Sequence, residues 1–482
     1  MEIPMQTSFI RHRTIARLLT ASALLALASA NASAATISPT STGEYCPDTP
    51  VRLTFDAPPA LGTGTIQLLD VQTNTPVESI DVAKPTLAHA IGGLSNVNYY
   101  PVLIDGNTAE IHFSKPLDYG KKYSVIIPDG AITAAGKPLS FSPILFSTRA
   151  APPAAGATKL TVDSLGHAPS ADFATLQAAL DFIPAGNKAP TTILLKNGTY
   201  HEIIHFTNKH NIAIVGQDRK KTILAYPNNN KFNSDTSGGL YRRGMLLAQR
   251  CNDITLANMT FHNTTPRGGT QAESIILNGT ATSRAIVANC DLISFQDTLQ
   301  INGQGFVSNC YIEGDVDFMW GNGPVFFENC TCTTTRSKAY YTQIRNRPDK
   351  RGYIYYHCTF NGAPGIVDEF LARIDPRTFP ASEVVLIDCT LTNAVNPVGW
   401  KLDNATEAPS VHFWEFNSHD PDGKPVDTSK RLPASRQLKQ PEDAQIIANY
   451  SNPTWVLGDN WTPKLPAEVA DQSPRPATQP PQ

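Results

Sequence analysis

The chain has little charge. Its 39 Lys+Arg and 42 Asp+Glu make up 17% of 482 residues and leave a net charge of −3, where ~25% charged residues is usual for soluble domains. Without a basic footprint, nucleic acid is not an expected partner. Beyond the N-terminal stretch there is no apolar run of the ~20 residues that a membrane-crossing helix requires. Composition excludes collagen, coiled coil and dense disulfide scaffolds. The G-x-S-x-G elbow, the Walker loop, G-x-G-x-x-G and a zinc-type His cluster are all missing, which leaves serine-hydrolase, nucleotide and zinc chemistry without motif support. What is present is a 41% hydrophobic fraction, sufficient for a packed interior.

The chain divides by composition. Arg11, Arg13 and Arg17 precede an apolar run from Leu18 to Ala30 and the small residues Ala32-Ser33-Ala34. That order predicts a secretory signal peptide over 1–34 and an exported protein, extracellular or periplasmic. Short alternating runs between turn residues, such as Val51 to Phe55, Ala109 to Phe113 and Tyr123 to Ile127, predict a β-sandwich over 37–148. This region loosely resembles the bacterial Ig-like domains that flank secreted enzymes. A Pro/Ala linker follows at 149–157, and a Pro-rich tail over 464–482 is expected to be disordered.

Between linker and tail the sequence repeats. ITLANMTFHN, AIVANCDLIS, GFVSNCYIEG, VFFENCTCTT, YIYYHCTFNG and VVLIDCTLTN share one template. Cys290, Cys310 and Cys330 recur every 20 residues, and Asn289, Asn309 and Asn329 recur with them. A repeat this short without helical periodicity predicts a parallel β-helix, one rung per repeat. The Cys column then reads as an internal stack and the Asn column as a ladder of side-chain amides; disulfides within the Cys column stay open. The Cys330-x-Cys332 pair has no His-rich partner, so metal binding is not expected there. One helix is signalled, Asp172 to Phe182, with Phe173, Leu176, Ala179, Leu180 and Ile183 on one stripe and Asp172 as its cap. It precedes the first strand and is expected to cover an open end.

Two aspartates sit at equivalent places on adjacent repeats. Asp297 follows Cys290 by seven residues and Asp317 follows Cys310 by seven. On neighbouring rungs their carboxylates would lie about one strand spacing apart, ~4.8 Å. Two carboxylates so close do not both ionise easily, so one becomes a neutral acid and the other an ionised nucleophile or base. The plainer reading is a pair of loop aspartates that bond backbone amides.

Local motifs favour the chemistry. Gln296-Asp297-Thr298-Leu299 and Gly314-Asp315-Val316-Asp317-Phe318-Met319-Trp320-Gly321 resemble signatures of the pectin methylesterases. Gly198-Thr199-Tyr200-His201-Glu202 matches the family's G-x-Y-x-E, Gln271-Ala272 begins another motif, and Leu371-Ala372-Arg373 partly matches a last one, usually Leu-Gly-Arg-Pro-Trp. The resemblance spans 158–463. It implies a right-handed parallel β-helix that removes methyl esters from galacturonan with no metal or cofactor. It also implies Asp317 as nucleophile, Asp297 as general acid and then base, Gln271 and Gln296 as oxyanion hole, and Arg373 as the residue that orients Asp317. Tyr200, Trp320 and Trp400 are candidate substrate contacts, although Tyr200 can equally support the fold and a core role suits either Trp. The expected partner is a methylated polysaccharide, and the expected state a monomer.

The chain departs from the pattern at Ile374-Asp375, where the family has Pro-Trp, and at Glu273, where an apolar residue is usual. A carboxylate beside a polyanionic substrate predicts a preference for highly methylated chains. Trp320, where Phe is usual, is a candidate replacement for the lost aromatic surface. Other readings stay open: a retaining glycoside hydrolase, which needs carboxylates ~5–5.5 Å apart; a calcium-dependent lyase, for which the only nearby addition to the pair is Asp315; and a β-helix relative that acts on another ester or thioester, or only binds glycan.

Overall fold

The computed structural model describes residues 34–94, 96–235, 241–268 and 270–465. Apart from Ala34, the expected signal peptide lies outside them, as does the expected tail from 466 onward.

From Lys159 onward the chain winds through three parallel sheets. One runs from Lys159–Val162 to Arg436–Gln437 with eleven strands. The other two have eight strands each, from Gly198–Tyr200 to Thr390–Leu391 and from Ile204–Thr207 to Trp400–Leu402. Eight rungs each add one strand to every sheet, the first sheet carries three further strands at its ends, and the whole is a right-handed parallel β-helix. The register follows the sequence repeat: Tyr311 pairs with Thr331, and Asp291 with Tyr311.

The repeated Cys and Asn positions have separate physical roles. Cys290, Cys310, Cys330, Cys358 and Cys389 are buried free thiols, each donating to a carbonyl of the preceding rung. No disulfide links any of the eight cysteines. The Asn column is partly the expected ladder, since Asn289 Nδ2 donates to Asn258 Oδ1 at 2.8 Å. Its common property is backbone conformation: Asn258, Asn289, Asn309, Asn329, His357, Asp388 and Asn417 all have φ between 51° and 58°. Asn and Asp tolerate this left-handed region best among non-glycine residues, and the turn out of the first sheet uses it on each rung from Asn258 onward.

The expected helix is shorter than its apolar stripe. Helix α1 covers Leu176–Phe182, and its cap is Thr175, whose side chain accepts from the Ala178 amide. Asp172 instead accepts from the Thr161 amide and does not cap. Leu176, Ala179 and Leu180 close the core at the N-terminal end, against Leu160 and Ile193. Helices α2 (Ala444–Tyr450) and α3 (Pro453–Leu457), which the sequence reading did not predict, cover the outer face of the eleven-stranded sheet. There Ile447, Tyr450, Val456 and Leu457 pack on Phe306, Phe326, Ile354 and Val385.

Residues 34–148 form mainly antiparallel sheets, with one parallel pairing of Glu44–Tyr45 on Ile144–Thr148, around a separate core that includes Val51, Leu53, Ile66, Tyr123 and Phe146. This unit is docked on the β-helix. Asp48 accepts from the amides of Ala174 and Thr175, Arg52 donates to the Ser164 carbonyl, and Glu110 lies 3.2 Å from His201. Arg149, at the start of the linker, donates to the Ala171 carbonyl.

Gly321, which ends the motif that contains Asp317, has a structural reason. Its φ is 152°, and a Cβ there would lie 2.0 Å from the Ile301 carbonyl oxygen and 2.6 Å from the Tyr353 hydroxyl. Gly321→Ala is expected to cost about 1–3 kcal/mol of stability through overpacking, read as a lowered melting temperature.

Candidate active site

Three acidic residues stand at the same position of three consecutive rungs. Ile275 pairs with Leu299, which pairs with Met319. Counting back two residues sets Glu273 opposite Asp297 and Asp297 opposite Asp317, with the bridge from Gln296 to Val316 in the same register. Neighbouring backbones along this column are ~4.8 Å apart. Asp297 and Asp317 both have positive φ, 68° and 49°. The turn is pinned from several sides: Asp297 N donates to the Val316 carbonyl, Asp315 N to the Phe295 carbonyl, and the Thr298 hydroxyl to the Glu313 carbonyl. Left-handed backbone held this firmly beside a cluster of charged groups is a frequent mark of function.

Arginines distinguish the three carboxylates. Arg373 forks onto Asp317: Nε lies 3.0 Å from Oδ1 and Nη2 lies 2.6 Å from Oδ2. Its guanidinium lies over the Tyr340 ring at 4.5 Å, and its Nη1 is 3.5 Å from Asp403. Burial pushes the Asp317 carboxyl above its ordinary value against the pull of Arg373. Asp297 has no such fork; Arg243 approaches it only to 3.7 Å. Burial, the charge of Glu273 and the charge of Asp317 hold Asp297 well above the ordinary carboxylate range, while Arg243 opposes. Both carboxyls are thus raised, and only Asp317 has a guanidinium fork to favour its charged form.

Glu273 is fully buried. Arg243 Nε lies 2.9 and 3.0 Å from its two oxygens, and Arg243 also reaches Asp235 at 3.1 Å. Burial pushes Glu273 up to about 7 against this pairing. Two guanidiniums lie over the indole of Trp320, Arg243 at 5.7 Å and Arg345 at 5.1 Å from the ring. Arg345 makes no ion pair among the described residues; it donates to Gln343 and also lies over Phe379.

Gln296 and Gln271 flank the column, and both are partly exposed. Their backbones are used, Gln296 O by the Ala272 amide and Gln271 O by the Asn230 amide. No described residue engages either side-chain amide.

Two expected substrate contacts belong elsewhere. Tyr200 is buried at 1% exposure, and its hydroxyl donates to the carbonyls of Val162 and Lys196. Trp400 is fully buried, donates to Glu415 and stacks on Phe413. Both are core residues with satisfied polar ends. Trp320 is at the site, 7% exposed.

The two carboxylates behind the expected preference for highly methylated chains are both paired with arginines. Asp375 is bound by Arg377 and by Asn404, and these bonds hold it down at about 2. Glu273 faces Arg243, not a substrate. The sequence reading missed Arg243, Arg345, Tyr340 and Asp403. Only the unusual Glu273 hinted at Arg243, since a buried carboxylate requires a cation.

Comparison with known proteins fits this geometry. The family model described as pectinesterase matches residues 164–459, more than half of the chain. Pectinesterase 31 of Arabidopsis thaliana is 28% identical over 291 residues, which is 58% of this chain and 88% of that protein. Pectinesterase 1 of Olea europaea is 28% identical over 302 residues, 60% of this chain and 78% of that protein. Among solved structures, the pectin methylesterase from carrot superposes with a TM-score of 0.53 at 22% identity, over 63% of this chain and 94% of its own. The pectin methylesterase PemA from Erwinia chrysanthemi gives 0.52 at 22% identity, over 64% and 98%. At these identities the structural matches establish the fold.

Proposed function

The chain belongs to the pectinesterase family, and on that premise we propose that Asp317 and Asp297 carry out the hydrolysis of galacturonan methyl esters. The observation that carries the assignment is the asymmetry of the pair: Asp317 held in an Arg373 fork, and buried Asp297 on the adjacent rung without one.

The Asp317 carboxylate attacks the ester carbonyl. The tetrahedral oxyanion accepts hydrogen bonds from the free side-chain amides of Gln296 and Gln271. As the C–O bond to the methoxy group breaks, Asp297 gives its proton to the departing methanol. The acyl group remains on Asp317 as an anhydride. Asp297, now a carboxylate, takes a proton from water as that water attacks the substrate carbonyl. The anhydride bond breaks to expel Asp317 as a carboxylate beside Arg373, Asp297 is again protonated, and the product leaves as the uronic acid, which gives its proton to solvent. No metal enters these steps.

The free amides favour ester over glycoside chemistry, because they suit an oxyanion and a glycosidase generates none. Gln296→Ala is expected to lower kcat for methanol release by roughly 10²–10³-fold with KM little changed. An unchanged kcat would remove Gln296 from the oxyanion hole.

Residues 37–148 we read as an Ig-like sandwich, on the strength of their antiparallel sheets around one core. Export follows from the leader pattern in the sequence and from the extended cell-wall polymer that is the substrate. A monomer suits a cleft on the side of a β-helix.

A further inference from the structure

We infer that the N-terminal unit is a working part of the active site: it holds Arg243 in place beside Asp297 through a relay of buried asparagines, Asn233 and Asn228. This rests on the reading of Asp297 as the acid and base.

The relay begins on the hairpin of strands Leu87–Ala90 and Asn96–Tyr99 in the N-terminal unit. The Asn98 amide donates to Asn233 Oδ1 at 2.7 Å, and Asn233 Nδ2 donates back to the Asn98 carbonyl at 3.0 Å. Asn98 Nδ2 also donates to the Phe232 carbonyl, and the Tyr100 ring stacks on Phe232 with centroids 4.9 Å apart and planes 8° from parallel. Arg242 closes the same junction by donating to the Asn96 carbonyl.

From Asn233 the relay passes inward. Asn233 Nδ2 donates to Asn228 Oδ1 at 2.9 Å. Asn228 is fully buried, and its Nδ2 donates to the carbonyls of Arg242 and Gly244 at 2.9 and 2.8 Å, the two residues that bracket Arg243. Asn263 Nδ2 then ties the Asn228 carbonyl to the Glu273 carbonyl. The backbone on either side of Arg243 is therefore fixed to the rung that carries its partner Glu273. Buried amide networks of this kind are stiff only when every member is satisfied, and the N-terminal unit supplies the outermost donors and acceptors.

What arrives at the site is a cation whose position matters. Arg243 compensates buried Glu273, stands 3.7 Å from Asp297 and lies over Trp320. The charged groups that face Asp297 are Glu273, Arg243, Asp317 and Arg345. Displacing Arg243 leaves Glu273 without its cation and alters the setting of the acid, and catalysis responds steeply to small misplacements. Arg243 is thus a positioning residue for Asp297, and Asn233 is a positioning residue for Arg243.

The experiment uses the full chain. Arg243→Met, Asn233→Ala, their combination, and Asn233→Asp are compared by methanol release across pH, with Asp317→Asn run alongside. Each of the first two is expected to lower kcat about tenfold or more with a smaller change in KM. Each is also expected to move the alkaline limb of the profile, because Arg243 and the Glu273 charge that it sustains both act on Asp297. Arg243→Lys should restore part of the rate. The combination should lose no more than Arg243→Met alone, since the relay acts through Arg243. Losses that multiply, or an Asn233→Ala variant that melts earlier with an unmoved limb, would overturn the relay. Asn233→Asp keeps the acceptor for the Asn98 amide but removes the donor to Asn228, so it carries the same comparison if Asn233→Ala does not fold. Inactivity of Asp317→Asn reports separately on the carboxylate reading.

Discussion

Replacing Asp317 with Asn should reduce methanol release by about 10⁴-fold or more while the protein stays folded, a loss on the scale measured for removed nucleophiles. Asn is the right replacement for a conformational reason. Asp317 has φ 49°, a region that Asn adopts readily and Ala does not. Its amide fills the same volume beside Arg373 but cannot attack a carbonyl. Arg373 keeps Asp403 at 3.5 Å and the Tyr340 ring beneath it, so the cation is not left bare. Circular dichroism and thermal melting of the variant should therefore resemble those of the parent. Methanol release at a tenth of the parental rate or above would remove Asp317 as nucleophile.

Replacing Asp297 with Asn should lower kcat by roughly 10²–10⁴-fold, the usual range for a lost general acid and base, and should also change the shape of the pH profile. In the parent, activity requires Asp317 ionised and Asp297 protonated. The acid limb follows Asp317, whose carboxyl burial raises, so it lies above the pH at which an ordinary aspartate titrates. The alkaline limb follows Asp297, raised further by burial and by Glu273. As pH rises through that limb Asp297 loses its proton and can no longer protonate departing methanol, so the rate falls. The Asp297→Asn variant has no such proton, so its residual rate should keep the acid limb and lose the alkaline one. A variant that retains both limbs would show that another group is the acid. Glu273, which burial raises to about 7, is the first to examine.

The β-helix was legible because its rungs repeat. Equivalent residues recur every 20 positions only where each rung has the same turns, and the pairing of Asp291 with Tyr311 and of Tyr311 with Thr331 follows that count directly. The Asn column was recognised but only partly understood. A ladder of amides accounts for the bond between Asn289 and Asn258, whereas the left-handed turn accounts for the whole column, including His357 and Asp388, which are not amides. Backbone sign is invisible to hydrophobic periodicity.

The reactive pair was legible for the same reason as the rungs. What surrounds it was not. Arg243 comes from an earlier rung with no recurring neighbour to mark it, and its worth depends on Glu273, whose burial only the fold reveals. Tyr200 and Trp400 were misplaced because aromatic residues suit a sugar cleft and a core equally well. The bonds from the Tyr200 hydroxyl to Val162 and Lys196, and from the Trp400 indole to Glu415, decide for the core. The N-terminal unit could be read as a sandwich but not as a neighbour of the site, since Asn98 and Asn233 meet only through tertiary contact.

The most direct test of the central claim is to follow methanol, acid and reducing ends together as the full chain acts on highly methylated galacturonan. The account predicts one equivalent of acid for each methanol, no new reducing ends, and loss of both products in Asp317→Asn. New reducing ends, or no methanol from the folded parent protein, would contradict it.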